Sequence, residues 1–279
     1  MKTALHSGIR EITVQEREIP KPGSGQYLIQ IKACAICGSD TWWGKPAREN
    51  EAIHGHESAG VVVACGEGAD KFKVGDRVVC YAILGCGSCV QCRAGMPTLC
   101  GSKKFIEGGF QEYSLFPAEL LFPCPDEYDF VTASLLSDAI GVPLHGMLRR
   151  LIPNREDTVC VWGLGPLGLL QTMFLKAAGV RTIIGVDTVP ERLAKAKQIG
   201  ASETFNASDP ETPAKIADIA DKVYTYVRNS KATEQVFAAT RGGGSICTFV
   251  GLEGEFNLPE YFERTLVWSF YFNPSEYAD

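Results

Sequence analysis

The stretch DTVCVWGLGPLGLLQTMFLKAAGVRTIIGVD, residues 157–187, decides the fold of the second half of the chain. It runs from an apolar, β-branched segment through the glycine pattern G-x-G-x-x-G at 163–168 into a helical segment, and then into a second apolar segment that ends in Asp187. A lone glycine pattern is weak evidence, but this one stands between a predicted strand and a predicted helix, with an acid nineteen residues after its last glycine. These features predict a strand–helix–strand unit that binds a dinucleotide.

Each glycine of the pattern has its own physical task. Gly163 permits a tight turn after the strand, and Gly165 lets a pyrophosphate approach the unpaired N–H groups at the helix N-terminus. Gly168 lets the helix pack closely against the sheet. Asp187 is expected to accept a hydrogen bond from the ribose 2′-hydroxyl, and its charge would repel a 2′-phosphate, so NAD is favoured over NADP. Arg192 either faces the adenosine ribose and its phosphate or is a solvated helix charge.

Strands and helices continue to alternate up to the end of the chain. The segment 190–201 is predicted as a helix that ends at Gly200, and a further helix is predicted over 232–242. With a short strand at 203–205, the predicted strands number six, which is enough for a complete doubly wound parallel sheet. The other five strands are predicted over 157–163, 181–187, 222–227, 245–251 and 265–272.

The first half of the chain has a different pattern, in which short segments of alternating apolar and polar residues are separated by glycine and proline. Strands are predicted over 26–36, 58–66 and 76–83, and turns over 21–25 and 72–76. These segments predict a compact all-β unit ahead of the parallel sheet. A chain of 279 residues is also longer than one core commonly serves, which favours two domains.

Four cysteines, Cys86, Cys89, Cys92 and Cys100, follow the spacing C-x2-C-x2-C-x7-C. Thiolates this close on one glycine-containing loop can reach a single tetrahedral zinc ion, with Zn–S bonds of ~2.3 Å. Four sulfurs fill every coordination position, so the site is predicted to be structural and closed to substrate. Disulfides and free thiols are the alternatives, and so dense a cluster in a chain without a secretion signal favours zinc.

A second set of metal-ligand residues is scattered along the first half, at Cys37, His54, His56 and Glu57. Asp40 can accept the second N–H of an imidazole, as carboxylates commonly do beside metal-bound histidines. From the residues alone, this set fits either a metal site or ordinary core and surface positions.

Composition limits the class of partner and the compartment. The net charge of -6 gives no sign of a nucleic-acid partner, and no apolar run approaches the ~20 residues needed to span a bilayer. The N-terminus turns polar after Leu5, unlike a signal peptide, and most of the eleven cysteines are interpreted as reduced thiols. We therefore expect a cytoplasmic protein with no nucleic-acid or membrane partner.

Taken together, these features resemble the zinc-containing medium-chain dehydrogenases, the group of alcohol and polyol dehydrogenases. The resemblance covers nearly the whole chain and keeps the family's motif order. It implies a GroES-like β domain over 1–145, with a structural-zinc lobe at about 84–103, followed by a Rossmann NAD-binding domain over 146–279. The motifs that carry it are CGSD (37–40), GHESAGVV (55–62), KVGDRVV (73–79), the four-cysteine loop, GGFQEY (108–113), GLGPLG (163–168) and GVD (185–187).

The resemblance assigns roles to the scattered set. Cys37 and His56 match ligands of the family's catalytic zinc, and the segment 137–146 offers Asp138 as the third ligand. Glu57 matches an acid that enters or exchanges into the coordination sphere in some members. The implied catalytic residues are Cys37, Ser39, Asp40, His56, Glu57 and Asp138.

Two further roles and one departure follow from the same resemblance. Ser39 matches the hydroxyl that relays the alcohol proton, and Asp40 matches the partner of the histidine. Members that pass the proton onward through a histidine carry it where this chain has Trp42, so the relay is expected to end differently. Trp42 and Trp43 are expected either to line the substrate pocket or to pack in the core.

The implied cofactors are two zinc ions per chain and NAD, with NADP less favoured. The implied reaction is the reversible oxidation of a secondary alcohol, polyol or sugar-like alcohol to a carbonyl, with amino-alcohol or aldehyde chemistry as an alternative. The apolar sixth strand at the sheet edge favours a homodimer or homotetramer. The implied nucleotide-binding residues are Gly163, Leu164, Gly165, Pro166, Leu167, Gly168, Asp187, Arg192 and Val250.

The resemblance also leaves a second function open. Family members continue beyond the sixth strand and return to the β domain, whereas this sequence stops at residue 279. One expectation is therefore a truncated, non-catalytic remnant that binds NAD and zinc without turnover. The complete ligand set favours the enzyme, and the early stop favours the remnant.

Overall fold

The computed structural model describes residues 1–8, 11–40, 54–254 and 263–277, so Trp42 and Trp43 lie outside the described residues. The chain forms two compact units, one of Met1–Gly141 with Phe272–Asp279 and the other of Val142–Tyr271. The change of unit falls four residues before the boundary drawn from the sequence. Residues 272–277, which were predicted as part of the nucleotide-binding domain, group with the first unit.

The first unit is built from short strands. They are β1 (Lys2–Gly8), β2 (Glu11–Glu16), β3 (Gln26–Ala35), β4 (Glu57–Cys65), β5 (Arg77–Cys80), β6 (Ile83–Leu84), β7 (Lys104–Phe105), β8 (Tyr113–Pro117) and β9 (Leu121–Pro123). Five of them form an antiparallel sheet in the order β8-β3-β4-β5-β9, and β1-β2 and β6-β7 form two-stranded pairs. The predicted strands at 26–36 and 58–66 are confirmed, whereas the predicted strand at 76–83 divides into β5 and β6.

Short helices connect these strands and position the segments between them. They are α1 (Val90–Arg93), α2 (Phe130–Leu135) and α3 (Gly141–His145), with 3-10 turns at Pro97–Leu99, Ala118–Leu120 and Pro274–Glu276. Asp129 caps α2 by accepting a hydrogen bond from the Thr132 N–H at 2.7 Å. Ala133 of α2 packs in one buried cluster with Ala59 of β4 and Val79 of β5. Because α2 is fixed against the sheet in this way, the turn that follows it lies beside β4.

The second unit contains the six-stranded parallel sheet that the sequence predicts. Its strands are β10 (Thr158–Trp162), β11 (Thr182–Asp187), β12 (Glu203–Asn206), β13 (Ala220–Thr225), β14 (Thr240–Thr248) and β15 (Thr265–Trp268). The order β12-β11-β10-β13-β14-β15 is that of a doubly wound Rossmann sheet. Nearly every residue of β10 and β11 is buried, as expected for parallel strands that are covered on both faces.

Helices cover this sheet, and those predicted over 190–201 and 232–242 are present with starts at 190 and 230. They are α4 (Pro166–Ala177), α5 (Pro190–Ile199), α6 (Thr212–Lys215) and α7 (Ser230–Ala239), and a π-helical turn, Gly146–Arg150, precedes the sheet. Both α4 and α5 start with proline at the first helical position, where the missing N–H costs nothing. Leu175 of α4 packs in one core with Val161 of β10 and Ile183 of β11. No helix among the described residues is long and apolar enough to cross a bilayer.

The sixth strand is shorter than the sequence predicts. A strand was expected over 265–272, but β15 ends at Trp268. Tyr271 adopts a φ of 55°, in the left-handed region that a strand does not use. Residues 272–277 therefore leave the sheet and group with the first unit, where Phe272 is buried.

Candidate active site and metal centres

Four predicted ligands from three separate segments meet in the first unit. Cys37 follows the end of β3, and His56 and Glu57 stand at the start of β4. Because Ala35 lies opposite Glu57 in the antiparallel pair, these two strand ends are neighbours. Asp138 reaches the same place from the turn after α2. One ligand atom from each of Cys37, His56, Glu57 and Asp138 lies within 4.8 Å of all the others.

The imidazole of His56 has a defined orientation within this cluster. Its Nε2 lies 3.2 Å from Oδ2 of Asp138, and its Nδ1 lies 3.2 Å from Oδ1 of Asp40. The Asp40 contact has the distance of an ion pair without the alignment of a hydrogen bond. The other Asp40 oxygen accepts a hydrogen bond from the Cys37 N–H at 2.8 Å. Asp40 thus holds both the ring and the backbone at Cys37, and Nε2 faces the cluster.

The buried cluster concentrates acidic groups around one imidazole. Burial raises the pKa of Glu57 to about 7, and the charge of Asp138 adds to this effect. Burial acts to lower the pKa of His56, but its contacts with Asp138 and Asp40 outweigh this and raise that pKa. A bound cation would relieve this crowding of negative charge, and thiolate, imidazole and carboxylate are the usual ligands of zinc. The residues present therefore fit a zinc ion.

Two other groups adjoin the cluster. The Ser39 hydroxyl lies 3.5 Å from His56 Nε2, on the side of the ring that faces Asp138. Glu107, which the sequence analysis missed, has Oε1 3.8 Å from His56 Nδ1 and Oε2 3.3 Å from His54 Nδ1. The only sequence signal for Glu107 is its place directly before the GGFQEY motif.

The four-cysteine loop forms a second cluster, and its four Sγ atoms also lie within 4.8 Å of one another. Three backbone N–H groups donate to sulfur within the loop: Cys86 to Cys100 at 3.4 Å, Cys89 to Cys86 at 3.4 Å, and Cys92 to Cys89 at 3.5 Å. The pairing of β6 with β7 closes the base of the loop. Such N–H donors stabilise thiolates, which are the metal-binding form of cysteine.

The charge state of these cysteines also fits a metal. Hydrogen bonds from the Ser88 side chain and from nearby backbone N–H groups lower the pKa of Cys86 to about 5. A Cβ at Gly85 would come within 2.5 Å of the Cys92 sulfur, so the loop fits closely around the sulfurs. All eleven cysteines lie among the described residues, and all are free thiols. The four sulfurs therefore fit a closed zinc site, while the disulfide alternative has no support.

The second unit holds a cavity of about 350 Å³ at the carboxyl ends of its strands. Gly163, directly after β10, adopts a φ of 86° and lines the cavity. Asp187, at the end of β11, also lines it, as does Arg192 at the start of α5. Asn229 and Lys231, at the start of α7, also line the cavity and were not predicted, since their only sequence signal is that a helix follows β13.

Asp187 is fixed by the loop it faces. Its Oδ2 accepts a hydrogen bond from the Leu164 N–H at 2.6 Å, and its Oδ1 accepts one from the Val189 N–H at 2.9 Å. Arg192 Nη1 lies 3.7 Å from Asp187 Oδ2, and half of its side chain is exposed. Of the two alternatives for Arg192, the structure places its side chain at the cavity.

The other predicted nucleotide-binding residues have different surroundings. The Leu164 side chain is fully buried in the core, so only its backbone serves the loop. Pro166 and Leu167 form the first turn of α4, with Gly165 as the residue before it. Val250 follows the end of β14 and is partly exposed.

Two glycines of the loop provide a matched test of its packing. A Cβ at Gly168 would lie 1.9 Å from the Gly163 carbonyl oxygen, whereas a Cβ at Gly165 would meet nothing within 4 Å. We expect Gly168→Ala to lower the free energy of unfolding by about 3 kcal/mol. Gly165→Ala should cost less than about 1 kcal/mol but weaken NADH binding, because its methyl stands where the pyrophosphate approaches. Denaturant titration and NADH fluorescence check both effects, and equal stability losses would contradict this packing.

Comparison with known proteins identifies relatives for both units. Residues 23–126 match the alcohol dehydrogenase GroES-like domain, and residues 166–279 match the zinc-binding dehydrogenase family. The sorbitol dehydrogenase of Bacillus subtilis is 32% identical over 276 residues, covering 93% of this chain and 77% of the relative. The uncharacterized zinc-type alcohol dehydrogenase-like protein YphC of Escherichia coli is 38% identical over 224 residues, covering 73% of this chain and 63% of its own length. This match thus spans less than two thirds of YphC.

A solved structure matches the chain with both units included. A putative zinc-binding dehydrogenase from Sinorhizobium meliloti 1021, bound to NADP, has a TM-score of 0.88 and 26% identity, covering 99% of this chain and 86% of its own. The matches in sequence and in fold agree with the motif order, the antiparallel and parallel sheets and the two ligand clusters. The chain therefore belongs to the zinc-containing medium-chain dehydrogenases, with a GroES-like unit and a Rossmann unit.

Proposed function

We propose that the protein is an oxidoreductase that transfers a hydride between an alcohol and NAD. The observation that carries this proposal is the cluster of half-buried Cys37 with buried His56, Glu57 and Asp138, which gathers ligand atoms within 4.8 Å. A secondary alcohol, polyol or sugar-like alcohol is the proposed substrate, because the sorbitol dehydrogenase of Bacillus subtilis is among the relatives.

In the proposed mechanism, Cys37, His56 and Asp138 hold a zinc ion, which supplies positive charge that lowers the pKa of an alcohol hydroxyl. Ser39 would accept the hydroxyl proton at its Oγ and release its own proton to water, so that its side chain stays neutral. Asp40 keeps His56 in the orientation that directs Nε2 into the cluster. Glu57, only 4% exposed, keeps an acidic group beside the ligands and can exchange into the set.

The Rossmann unit has the complementary task of holding the dinucleotide. The backbone at 163–168 binds the pyrophosphate, and Asp187 accepts a hydrogen bond from the adenosine ribose. The four-cysteine loop holds a second zinc ion with a structural role, because its four sulfurs leave no position for substrate.

Cofactor choice gives a prediction at Asp187. Asp187→Asn keeps the shape of the side chain but removes the charge that repels a 2′-phosphate, so the ratio of kcat/KM for NAD to that for NADP should fall ~10-fold. Arg192→Gln is the matched change, because it removes the neighbouring positive charge that would attract a 2′-phosphate. In this variant the ratio should rise. Steady-state kinetics with both nucleotides measures the ratio, and a wild-type preference for NADP would refute the assignment.

Two further properties are proposed on the same basis. The edge strand β15 exposes Leu266 and Trp268, which are 52% and 68% accessible, so we propose that it pairs with a second copy in a homodimer or a homotetramer. The mass of the purified chain in solution tests this. The eleven free thiols favour a reducing compartment, and we propose the cytoplasm.

The function as a whole is tested with a panel of alcohols and polyols, using NAD and NADP, on protein whose zinc content has been measured. We expect NADH production with at least one secondary alcohol or polyol and its loss on removal of zinc by a chelator. Nucleotide binding without turnover on any member of the panel would favour the non-catalytic remnant.

A further inference from the structure

The segment 272–277, called the tail here, belongs to the first unit, and its first two residues are buried there. Phe272 and Asn273 are only 3% and 2% exposed. The Tyr277 ring stacks on Phe122 of β9 with ring centroids 4.5 Å apart. These contacts fix the tail to the five-stranded sheet, although nothing in its sequence marks it as part of the β unit.

One side of the tail is bonded to the four-cysteine loop. The Thr98 hydroxyl donates to Oδ1 of Asn273 at 2.7 Å, and both side chains are 2% exposed. The Asn273 amide donates in turn to Oε1 of Glu276 at 3.0 Å, which fixes its orientation. Thr98 stands two residues before Cys100, inside the loop. A change in the path of the loop would therefore break a buried hydrogen bond, which is costly because it leaves Asn273 Oδ1 unpaired.

The other side of the tail packs against Gly141, in the turn that carries Asp138. The Phe272 carbonyl accepts a hydrogen bond from the Tyr81 hydroxyl, and the two rings meet edge to face at 5.1 Å. A Cβ at Gly141 would come within 2.3 Å of the Phe272 ring, so this ring lies directly on the backbone at Gly141. Gly141 follows Asp138 by three residues. The ring of Phe272 thus supports the turn that carries Asp138.

Tyr81 packs against the tail, and the charges of Asp138 and Glu276 both act on its hydroxyl. Its hydroxyl is buried, and this burial is the main reason why the pKa of Tyr81 is raised. The negative charges of Asp138 and Glu276 raise it further. A displacement of the tail would move the residues that pack against it, because packed protein interiors have low compressibility.

We infer that the tail is a link through which the metal-loaded four-cysteine loop fixes the position of Asp138, with Thr98 and Asn273 as positioning residues. A metal ion in the loop orders the backbone that carries Thr98. Through Asn273 and the adjoining Phe272, that order reaches the Asp138 turn. Cys37, His56 and Glu57 are held by the ends of β3 and β4, so Asp138 is the ligand that depends on this support.

The inference rests on the proposed assignment of both metal clusters, and its test uses metal affinity and not turnover. Cobalt(II) is the probe, because its thiolate absorption is far stronger at a site with four cysteines than at a site with one. Metal-free protein is titrated with cobalt(II) against a competing chelator, and the two sites are followed separately. The Cys37→Ser protein identifies which signal belongs to the Asp138 cluster.

Two variants at one position separate the hydrogen bond from packing. Thr98→Val keeps the buried shape and removes the hydroxyl, whereas Thr98→Ser keeps the hydroxyl. We expect Thr98→Val to weaken cobalt binding at the Asp138 cluster ~10-fold, a typical size for coupling between two sites. Binding at the four-cysteine site should stay within about twofold, and Thr98→Ser should match the wild type at both sites within the same margin.

A second variant and a control complete the design. Phe272→Leu removes the ring from Gly141 but leaves the Thr98–Asn273 bond, and it should also weaken the Asp138 cluster selectively. Phe116→Leu, buried in β8 away from the tail, should leave both affinities within about twofold of wild type. Unchanged affinity at the Asp138 cluster in Thr98→Val and Phe272→Leu, or equal weakening of both sites, would overturn the inference alone. A wild-type protein with a four-cysteine signal only would overturn the proposed function as well.

Discussion

Cys37→Ser is expected to abolish NAD-dependent alcohol oxidation while leaving NADH binding intact. The serine hydroxyl is a poor ligand for zinc compared with a thiolate, so the cluster with His56 and Asp138 would lose the ion that supplies the catalytic charge. Removing such an interaction should lower kcat/KM by at least ~1000-fold. NADH affinity should hold, because the glycine loop and Asp187 lie in the other unit. Steady-state kinetics and NADH fluorescence titration check both statements.

Cys34→Ser is the matched control for this experiment. Cys34 lies three residues earlier on β3, and its sulfur belongs to neither ligand cluster. Burial raises the pKa of its thiol to about 12, so the thiol is neutral at neutral pH. We expect this protein to retain activity and zinc. Turnover at the wild-type rate in Cys37→Ser, or equal losses in both proteins, would contradict the assignment of Cys37.

Cys92→Ser is expected to have the largest effect on stability. The variant should lose one zinc ion per chain, because three thiolates no longer fill the structural site. Structural zinc contributes directly to folding free energy, and we expect a loss of about 4 kcal/mol. For a chain of this size that corresponds to a fall in Tm of ~10 °C. Thermal unfolding measures the fall in Tm, and metal analysis measures the loss of zinc. At low temperature, where the variant stays folded, most of the alcohol oxidation should be retained.

Cys65→Ser is the control for the second experiment, because Cys65 is an exposed thiol outside the four-cysteine loop. The Cys65→Ser protein should keep both zinc ions and the wild-type Tm. If Cys92→Ser kept two zinc ions and the wild-type Tm, the loop would have no structural metal. If it lost activity at unchanged Tm and zinc content, the loop would have a catalytic role that its four sulfurs do not suggest.

The fold of the Rossmann unit could be predicted from the sequence because its signals are local. The apolar run before Gly163, the glycine pattern and Asp187 all lie within 157–187, and each strand and helix has its own periodicity. The tail could not be predicted in the same way. The run 265–272 is largely apolar, and apolarity indicates that a segment is covered without showing which surface covers it. In the structure, Phe272 is covered by Tyr81 and the backbone at Gly141, far away in the chain.

The two metal clusters differ in the same respect. The four cysteines of the loop lie within 86–100, so their spacing alone indicates a tetrahedral site. Cys37 and Asp138 are 101 residues apart, and only the family resemblance proposed them as partners of one ion. Glu107 had no such motif assignment, although the structure puts its carboxylate beside His56. Contacts of this kind depend on strand pairing, which brings distant residues together without leaving a local pattern.

Anomalous diffraction at the zinc edge, on crystals of the wild-type chain, tests the central claim most directly. The account predicts two peaks per chain. One should lie among the sulfurs of the four-cysteine loop, and the other within ~2.0–2.3 Å of Cys37 Sγ, His56 Nε2 and a carboxylate oxygen of Asp138. A single peak at the loop, from zinc-saturated protein that oxidises alcohols with NAD, would contradict it.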